Sequence, residues 1–262
     1  MKIIRKMFVI LDLFLDHGDE LTLEEMARFS GLNKSTVRRI ALALLDNGCL
    51  KQPIRRGRYS LGMKFLDYSG AIKRSNSVIN IASPHLIRLS QRANETVIMA
   101  LWDGIRAVLC QSFHADHPLK VVPDEGTRLG MHYTSVGKAI LAEIPDQQLE
   151  HLFENGLERF TQNTITDLNA LKSHLRIVKQ EGVAFDDEEY YPGVRGIGSA
   201  IKNGEGAVMG AIGIVGPSIR LTRDKLTELV PLVKETAAEI SRNLGYRNER
   251  AYAVFDDKKE TD

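Results

Sequence analysis

The chain of 262 residues is short of the residues and motifs that most enzymes and exported proteins need. It has two cysteines, Cys49 and Cys110, in apolar contexts and with no CxxC pair. That excludes a zinc ribbon and a disulfide framework. No run approaches the roughly 18 apolar residues of a membrane helix. The apolar start, MKIIRKMFVILDLFLDHG, is interrupted by Asp12 and Asp16 and is followed by no small-residue cleavage site. It is therefore not read as a secretion signal, and a cytoplasmic protein is expected. There is no GxxxxGK[ST] phosphate loop, no GxSxG elbow and no Cys/His nucleophile pair. His114, Asp116 and His117 form an HxDH run, but Pro118 follows and no fourth ligand is in view, so no metal is expected. Repeats and low-complexity tracts are absent, and nothing calls for a cofactor.

What is present begins with a split of charge. Residues 1–74 carry 14 Lys+Arg against 8 Asp+Glu, a net of +6; the remainder carries 21 against 26, a net of −5. A basic module on an acidic body implies that only the first part meets a polyanion. Within it, LTLEEMARFSGLNKSTVRRIALALLDNG (21–48) reads as two short helices around a glycine turn. Thr22 and Glu25 form a capping box, Gly31 supplies a left-handed helix end, and Asn33 is a good cap for the next helix. Val37, Ile40, Ala41, Leu44 and Leu45 recur at helical spacing as a core stripe. Lys34, Ser35, Thr36, Arg38 and Arg39 are left for a groove of DNA. Any helical hairpin can carry a basic face, so this stretch alone leaves a plain αα-hairpin open. The residues that follow, CLKQPIRRGRYSLG (49–62), read as a β-hairpin with Arg55, Arg56 and Arg58 at its tip, which makes a wing able to clamp phosphates. A preceding helix over 3–16 places Met7, Ile10, Leu11, Phe14 and Leu15 on one face, to pack on the pair.

These signals predict an α+β chain in four parts: a winged helix-turn-helix over 1–62, a helical linker over 63–93, an effector-type domain over 94–246 and a flexible tail over 247–262. In the linker, Ile79, Leu86, Ile87 and Leu89 share a face, and Pro84 should start or kink the helix. In the body, strands are expected over 96–101, 105–113, 195–202 and 207–215, with helices over 134–143, 146–154, 167–181 and 223–244. Long antiparallel strands with helices on one side describe a sensor-like domain. HYTSVGKAI (132–140) puts the amides of Ser135, Val136 and Gly137 at a helix start, where an anion is favoured, although capping alone explains Thr134 and Ser135. FDDEEYYPGVRGIG (185–198) has four carboxylates in a row, for which a solvated turn with one or two acids inward is the plain reading. Gly196, Gly198 and Gly213 should leave room beside the sheet for a ligand.

Taken together, the chain resembles the IclR family of bacterial transcriptional regulators, from about residue 3 to residue 245. The resemblance rests on the winged-helix stretch and on GMHYTSVGKAILA, FDDEEYYPGVRGIGSAI and GAIGIVGPSIRLT in that order. It implies a GAF-like effector domain with a six-stranded antiparallel sheet. It also implies homodimers, often tetramers, on palindromic operator DNA, controlled by a small-molecule effector. Carried onto this chain, Ser135 and Val136 offer amides to an acid, and Asp186 accepts hydrogen bonds from it. Gly196 stands where a cysteine is common, and Gly213 and Val215 where some small-acid binders carry serines. Losing three polar side chains favours a bulkier or aromatic carboxylic acid, with Leu119, Val121 and Met131 as apolar walls. The rival readings are an enzyme acting on a small carboxylic acid with an appended DNA module, and a non-specific architectural DNA protein.

Overall fold

The computed structural model describes residues 2–52 and 57–247. The chain divides into two compact units, 1–76 and 77–262.

The first unit is built on three helices: α1 (Lys2–Asp16), α2 (Leu23–Ser30) and α3 (Lys34–Asp46). The capping box of α2 is complete: the Glu25 amide donates to Thr22 Oγ1 (3.2 Å) and the Thr22 amide donates to Glu25 Oε2 (2.8 Å). Gly31 ends α2 at φ 67°. Asn33 precedes α3 in extended backbone but makes no side-chain cap hydrogen bond. The core contains Ile10, Leu13, Phe14, Met26, Val37, Ile40, Ala41 and Leu44. Leu15, expected in it, is 63% exposed, and Leu13 takes its place. Once Ile10 and Phe14 face the core, a period of 3.6 residues turns Leu15 about 100° away. Strands β1 (Leu21–Thr22), β2 (Leu50–Lys51) and β3 (Arg58–Leu61) form a small antiparallel sheet in the order β1-β3-β2, with Leu50 opposite Leu61. The hairpin tip with Arg55 and Arg56 lies outside the described residues. A fourth helix, α4 (Lys64–Ser75), has no buried residue and leaves Leu66 and Ile72 exposed.

The second unit opens with α5 (Ser77–Ala93), which runs unbroken through Pro84. Its buried stripe is Val78, Ile79, Ala82, Leu86, Leu89 and Ala93; Ile87 is exposed, contrary to the sequence reading. Then come β4 (Thr96–Trp102), β5 (Ala107–Phe113), β6 (Arg128–Leu129), α6 (Ser135–Leu141), α7 (Asp146–Leu152), α8 (Leu168–Glu181), β7 (Ala184–Asp187), β8 (Val194–Lys202), β9 (Val208–Pro217) and α9 (Arg223–Asn243). The six strands make one antiparallel sheet in the order β6-β5-β4-β9-β8-β7.

Helices cover both faces of this sheet, not one as expected. Val97, Met99, Ile197, Ile201, Ile212 and Ile214 face one way, into a core shared with α5 and α9. Their neighbours Ile98, Ala100, Ala184 and Ala211 face the other, toward α6 and α8. The period of two in these strands is apolar against apolar, which is the signature of a sheet buried on both sides.

Candidate functional site

Two regions gather the side chains singled out in the sequence. The first is the outer face of α3. Lys34, Ser35, Arg38 and Arg39 are exposed and Thr36 is half-buried, while Val37 and Ile40 anchor the opposite face. Lys34, Ser35, Arg38 and Arg39 line a shallow depression of about 660 Å³ together with Leu23, Leu42 and Tyr59. Lys34 is ion-paired with Glu24. Arg38 and Arg39 have no carboxylate partner among the described residues, so their guanidinium groups are presented outward. Arg58 is less available: its guanidinium donates to the Glu20 carbonyl (2.9 Å) and stands 3.7 Å from Glu25. It braces the sheet as well as adding charge.

The second region lies where the N-terminus of α6 meets the sheet. Asp186, Gly196, Val215 and Thr96 are paired in one row across β7, β8, β9 and β4. Cross-strand partners share a face, and a Cβ built on Gly196 would stand 3.0 Å from Ser135 Oγ. The row therefore faces the first turn of α6. Thr96 Oγ1 donates to the Val121 carbonyl (2.8 Å), bringing the 114–127 loop to the far end of the row. Met131 is buried against α6. Leu119 is 63% exposed, and nothing brings it to this row.

The glycines do not leave open space as expected. A Cβ on Gly198 would lie 2.9 Å from the Ser135 carbonyl carbon and 3.0 Å from the Val136 amide nitrogen. One on Gly213 would lie 2.8 Å from Val136 Cγ1. The missing side chains admit the helix itself, so the first turn of α6 sits on bare strand backbone.

The acidic run turns two of its four acids inward, as the sequence reading allowed, but the outward pair is ion-paired rather than simply solvated. Asp186 and Glu189 are buried, at 6% and 7% exposure. Asp187 faces outward, where Arg195 Nε (2.6 Å) and Arg223 Nη2 (2.7 Å) bind its two oxygens. Burial alone would raise the Asp187 carboxyl, but the two guanidinium groups hold it below the ordinary value. Glu188, in left-handed backbone at φ 60°, accepts from the Gly193 amide (2.8 Å) and pairs with Arg195 (3.1 Å). The alternation of β7 and this local turn sort four adjacent acids into two inward and two outward.

Lys138 is the residue that sequence reasoning missed. It is fully buried in the apolar helix SVGKAIL, with its ammonium on Glu189 Oε1. An ammonium there requires a buried anion, because desolvating an unpaired charge costs several kcal/mol. That was the available signal. The other Glu189 oxygen is buried with no hydrogen-bond partner, and so is His174 Nε2. Burial raises the carboxyl of Glu189 despite Lys138. Burial, with the nearby Glu189 charge, pushes Asp186 up to about 7, against the opposing effects of the Glu189 amide (2.9 Å) and Lys138. Burial and the Lys138 charge lower the imidazoles of His132 and His174. Near neutral pH Asp186 is divided between a proton donor and an acceptor. A cluster of packed rings covers the adjoining loop, with Tyr133 and Tyr190 at 4.7 Å and Tyr190 and Tyr191 at 3.9 Å.

Among the described residues, no group of three His, Cys, Asp or Glu is placed to hold a metal ion, and His117 of the HxDH run contacts the Asn94 carbonyl (3.1 Å). No described helix is long and apolar enough to cross a membrane.

Two family profiles match stretches of the chain that contain these regions. The profile described as Bacterial transcriptional regulator IclR C-terminal matches residues 71–242, and that of the IclR helix-turn-helix domain matches 4–53. The chain belongs to the IclR family of bacterial transcriptional regulators. Among curated IclR-family relatives, it is 31% identical over 231 residues to the HTH-type transcriptional repressor AllR of Salmonella paratyphi A, covering 88% of this chain and 85% of that one. The crystal structure of Thermotoga maritima IclR is 29% identical, with a TM-score of 0.72 over 94% of this chain and 100% of that one. An IclR homologue from Microbacterium hydrocarbonoxydans, crystallised with 4-hydroxybenzoate, shares the fold at 22% identity and a TM-score of 0.78, over 92% of this chain and 98% of that one. This IclR-family chain is thus a ligand-responsive transcriptional regulator, with a DNA-binding helix-turn-helix and an effector-binding domain.

Proposed function

We propose that the protein is a cytoplasmic, non-enzymatic repressor, acting as a homodimer or a homotetramer. Lys34, Ser35, Thr36, Arg38 and Arg39 would read a palindromic operator, and Arg55, Arg56 and Arg58 would hold the flanking phosphates. In a two-fold dimer the α3 helices lie about 34 Å apart, on successive major-groove faces. The exposed apolar side chains of α4, Leu66 and Ile72, favour association of copies.

The effector in this reading is a small carboxylic acid, with an aromatic or otherwise apolar body, bound at the row formed by Asp186, Gly196 and Val215. The observation that carries it is the set of groups meeting at that row: the N-terminal turn of α6, a buried Asp186 whose carboxyl is raised by desolvation, and strand positions without polar side chains. Ser135 and Val136 would bind the carboxylate, Asp186 a hydroxyl or carbonyl, and Met131 and Val121 the apolar body, while Leu119 stands outside this set. Gly213 lets Val136 reach the sheet. The 4-hydroxybenzoate named with one structural neighbour is an acid of this class. To alter DNA binding, such a ligand must bind two states of the regulator with different affinity.

The test is a thermal-shift screen of aliphatic and aromatic carboxylic acids on the full chain, followed by footprinting on DNA upstream of its own gene. Stabilisation by an acid that also changes the footprint supports the reading. Failure of every acid to stabilise the protein removes the effector assignment.

A further inference from the structure

A concavity in the 77–262 unit lies away from the Asp186 row. It has a volume of about 570 Å³ and is enclosed by the C-terminal parts of α8 and α9, the end of α6 and strand β8. That size is within the usual range for small-molecule sites. Its lining includes the small apolar side chains of Ala139, Ala142, Ala200 and Ala237, which form an alanine floor. Its rim is cationic, with Lys179, Lys202, Lys234, Arg242 and Arg247 against a single acid, Glu143.

Glu143 is already committed, to Lys202 (2.8 Å) and more loosely to Lys179 (4.0 Å). Lys234, Arg242 and Arg247 have no carboxylate partner among the described residues. Lys234, Ala238 and Arg242 are spaced i, i+4, i+8 on α9, so one helix face presents two cations about 12 Å apart with an alanine between them. Lys179 and Arg242 lie in last turns, where a cation offsets a helix dipole. This does not use up the charge. Three helix ends, those of α6, α8 and α9, contribute about half a negative charge each, which with Glu143 leaves an excess of about two to three positive charges. The excess lies on a part of the chain that is net acidic, so it is a local concentration and not a general surface property.

We infer that this groove binds a small phosphorylated anion of nucleoside-diphosphate class, with its phosphates on Lys234, Arg242 and Arg247 and its apolar body on the alanine floor. A diphosphate carries about three negative charges at neutral pH, enough to offset the excess, and spans more than one of the separated cations. A monocarboxylate does neither. The site is independent of the effector reading above.

The experiment is calorimetric titration of the full chain with ADP, pyrophosphate and adenosine at low salt. ADP should bind saturably, once per chain, tighter than pyrophosphate and with strong salt dependence, and adenosine should not bind. Replacing Lys234 and Arg242 together by alanine should weaken ADP at least tenfold. Both side chains are exposed on α9 and only Arg242 offsets the helix dipole, so the urea midpoint should fall only slightly. Ala238→Trp, which fills the groove without removing charge, should weaken ADP by a similar factor. Arg38→Ala with Arg39→Ala should leave ADP binding unchanged, which separates the groove from the DNA face. No saturable ADP binding at millimolar concentration, or unchanged binding in both groove variants, overturns the proposal. Pyrophosphate binding as tightly as ADP overturns the role of the floor.

Discussion

Asp186→Asn isolates the electrostatic cost of the region beneath α6. The native carboxyl is raised from an ordinary 3.8 to about 7, first by burial and then by the Glu189 charge. A folded-state value above the unfolded one means that the protonated form is favoured by folding. The stabilising contribution is complete below pH 3.8 and is lost as pH rises through 7. The whole rise is worth about 4 kcal/mol, and about 3 kcal/mol of it falls between pH 5 and pH 8. Asparagine is close to the protonated acid in shape and can still accept the Glu189 amide through its oxygen. The variant should therefore gain on the native protein by about 3 kcal/mol between pH 5 and pH 8. Urea unfolding of both proteins at several pH values reads this, since titrating groups other than the interacting Glu189 cancel in the difference. A difference that is flat across that range would mean Asp186 is ionised in the fold throughout, and the argument from burial would be wrong.

The other predictions concern its neighbours and the DNA face. Lys138→Met strands Glu189 and should cost about 3–5 kcal/mol in urea, most of it recovered when Glu189→Leu is added; a loss under about 1 kcal/mol for the single variant would refute the pairing argument. Gly198→Ala forces a Cβ against the backbone of Ser135 and Val136 and should cost about 1–3 kcal/mol, whereas Gly196→Ala meets the movable Ser135 hydroxyl and should cost less; equal effects would deny the close seat of α6. Arg38→Ala and Arg39→Ala should each reduce the salt slope of operator binding by about 0.9 for every phosphate left without its cation, and an unchanged slope would place both side chains off the DNA. An anionic effector beside Asp186 should raise its carboxyl further and take up about half a proton near pH 7. Calorimetry in two buffers with different heats of ionisation checks this, and identical apparent heats would exclude it.

Much of the first unit was readable because its signals are local. Thr22 and Glu25 are three residues apart, Gly31 is adjacent to the helix it ends, and the α3 stripe lies within one helix. The long strands β4, β5, β8 and β9 were also visible, as apolar runs punctuated by Asp103-Gly104 and Asn203-Gly204. What failed depended on distant partners. Strand β7 is four residues long and half acidic, so its propensity is poor; it exists because Ala184 to Asp187 pair with β8. Lys138 finds its anion 51 residues away. The glycines of β8 and β9 were read as space for a ligand because a sequence does not say which element approaches them. The second helical layer was hidden by the same limit, since an apolar strand reveals that it is buried but not what buries it.

The placement of α6 links stability to sensing. A helix seated on bare glycine backbone leaves its first-turn amides close to the sheet, and the same seating carries Lys138 into the interior. That ammonium demands Glu189, which holds the 186–191 turn inward, and the turn in turn buries Asp186. Each step has a local reason, and together they leave one carboxyl poised near neutral pH beside the start of a helix. Folding alone gains nothing from this arrangement, because an amide or an apolar side chain at 186 would avoid the cost above pH 4. A group kept at a cost to stability is expected where binding needs it. Asp186→Asn should therefore raise stability while weakening the response to an acid effector. A variant that became more stable and kept a full effector response would show that the buried carboxyl serves some purpose other than recognition.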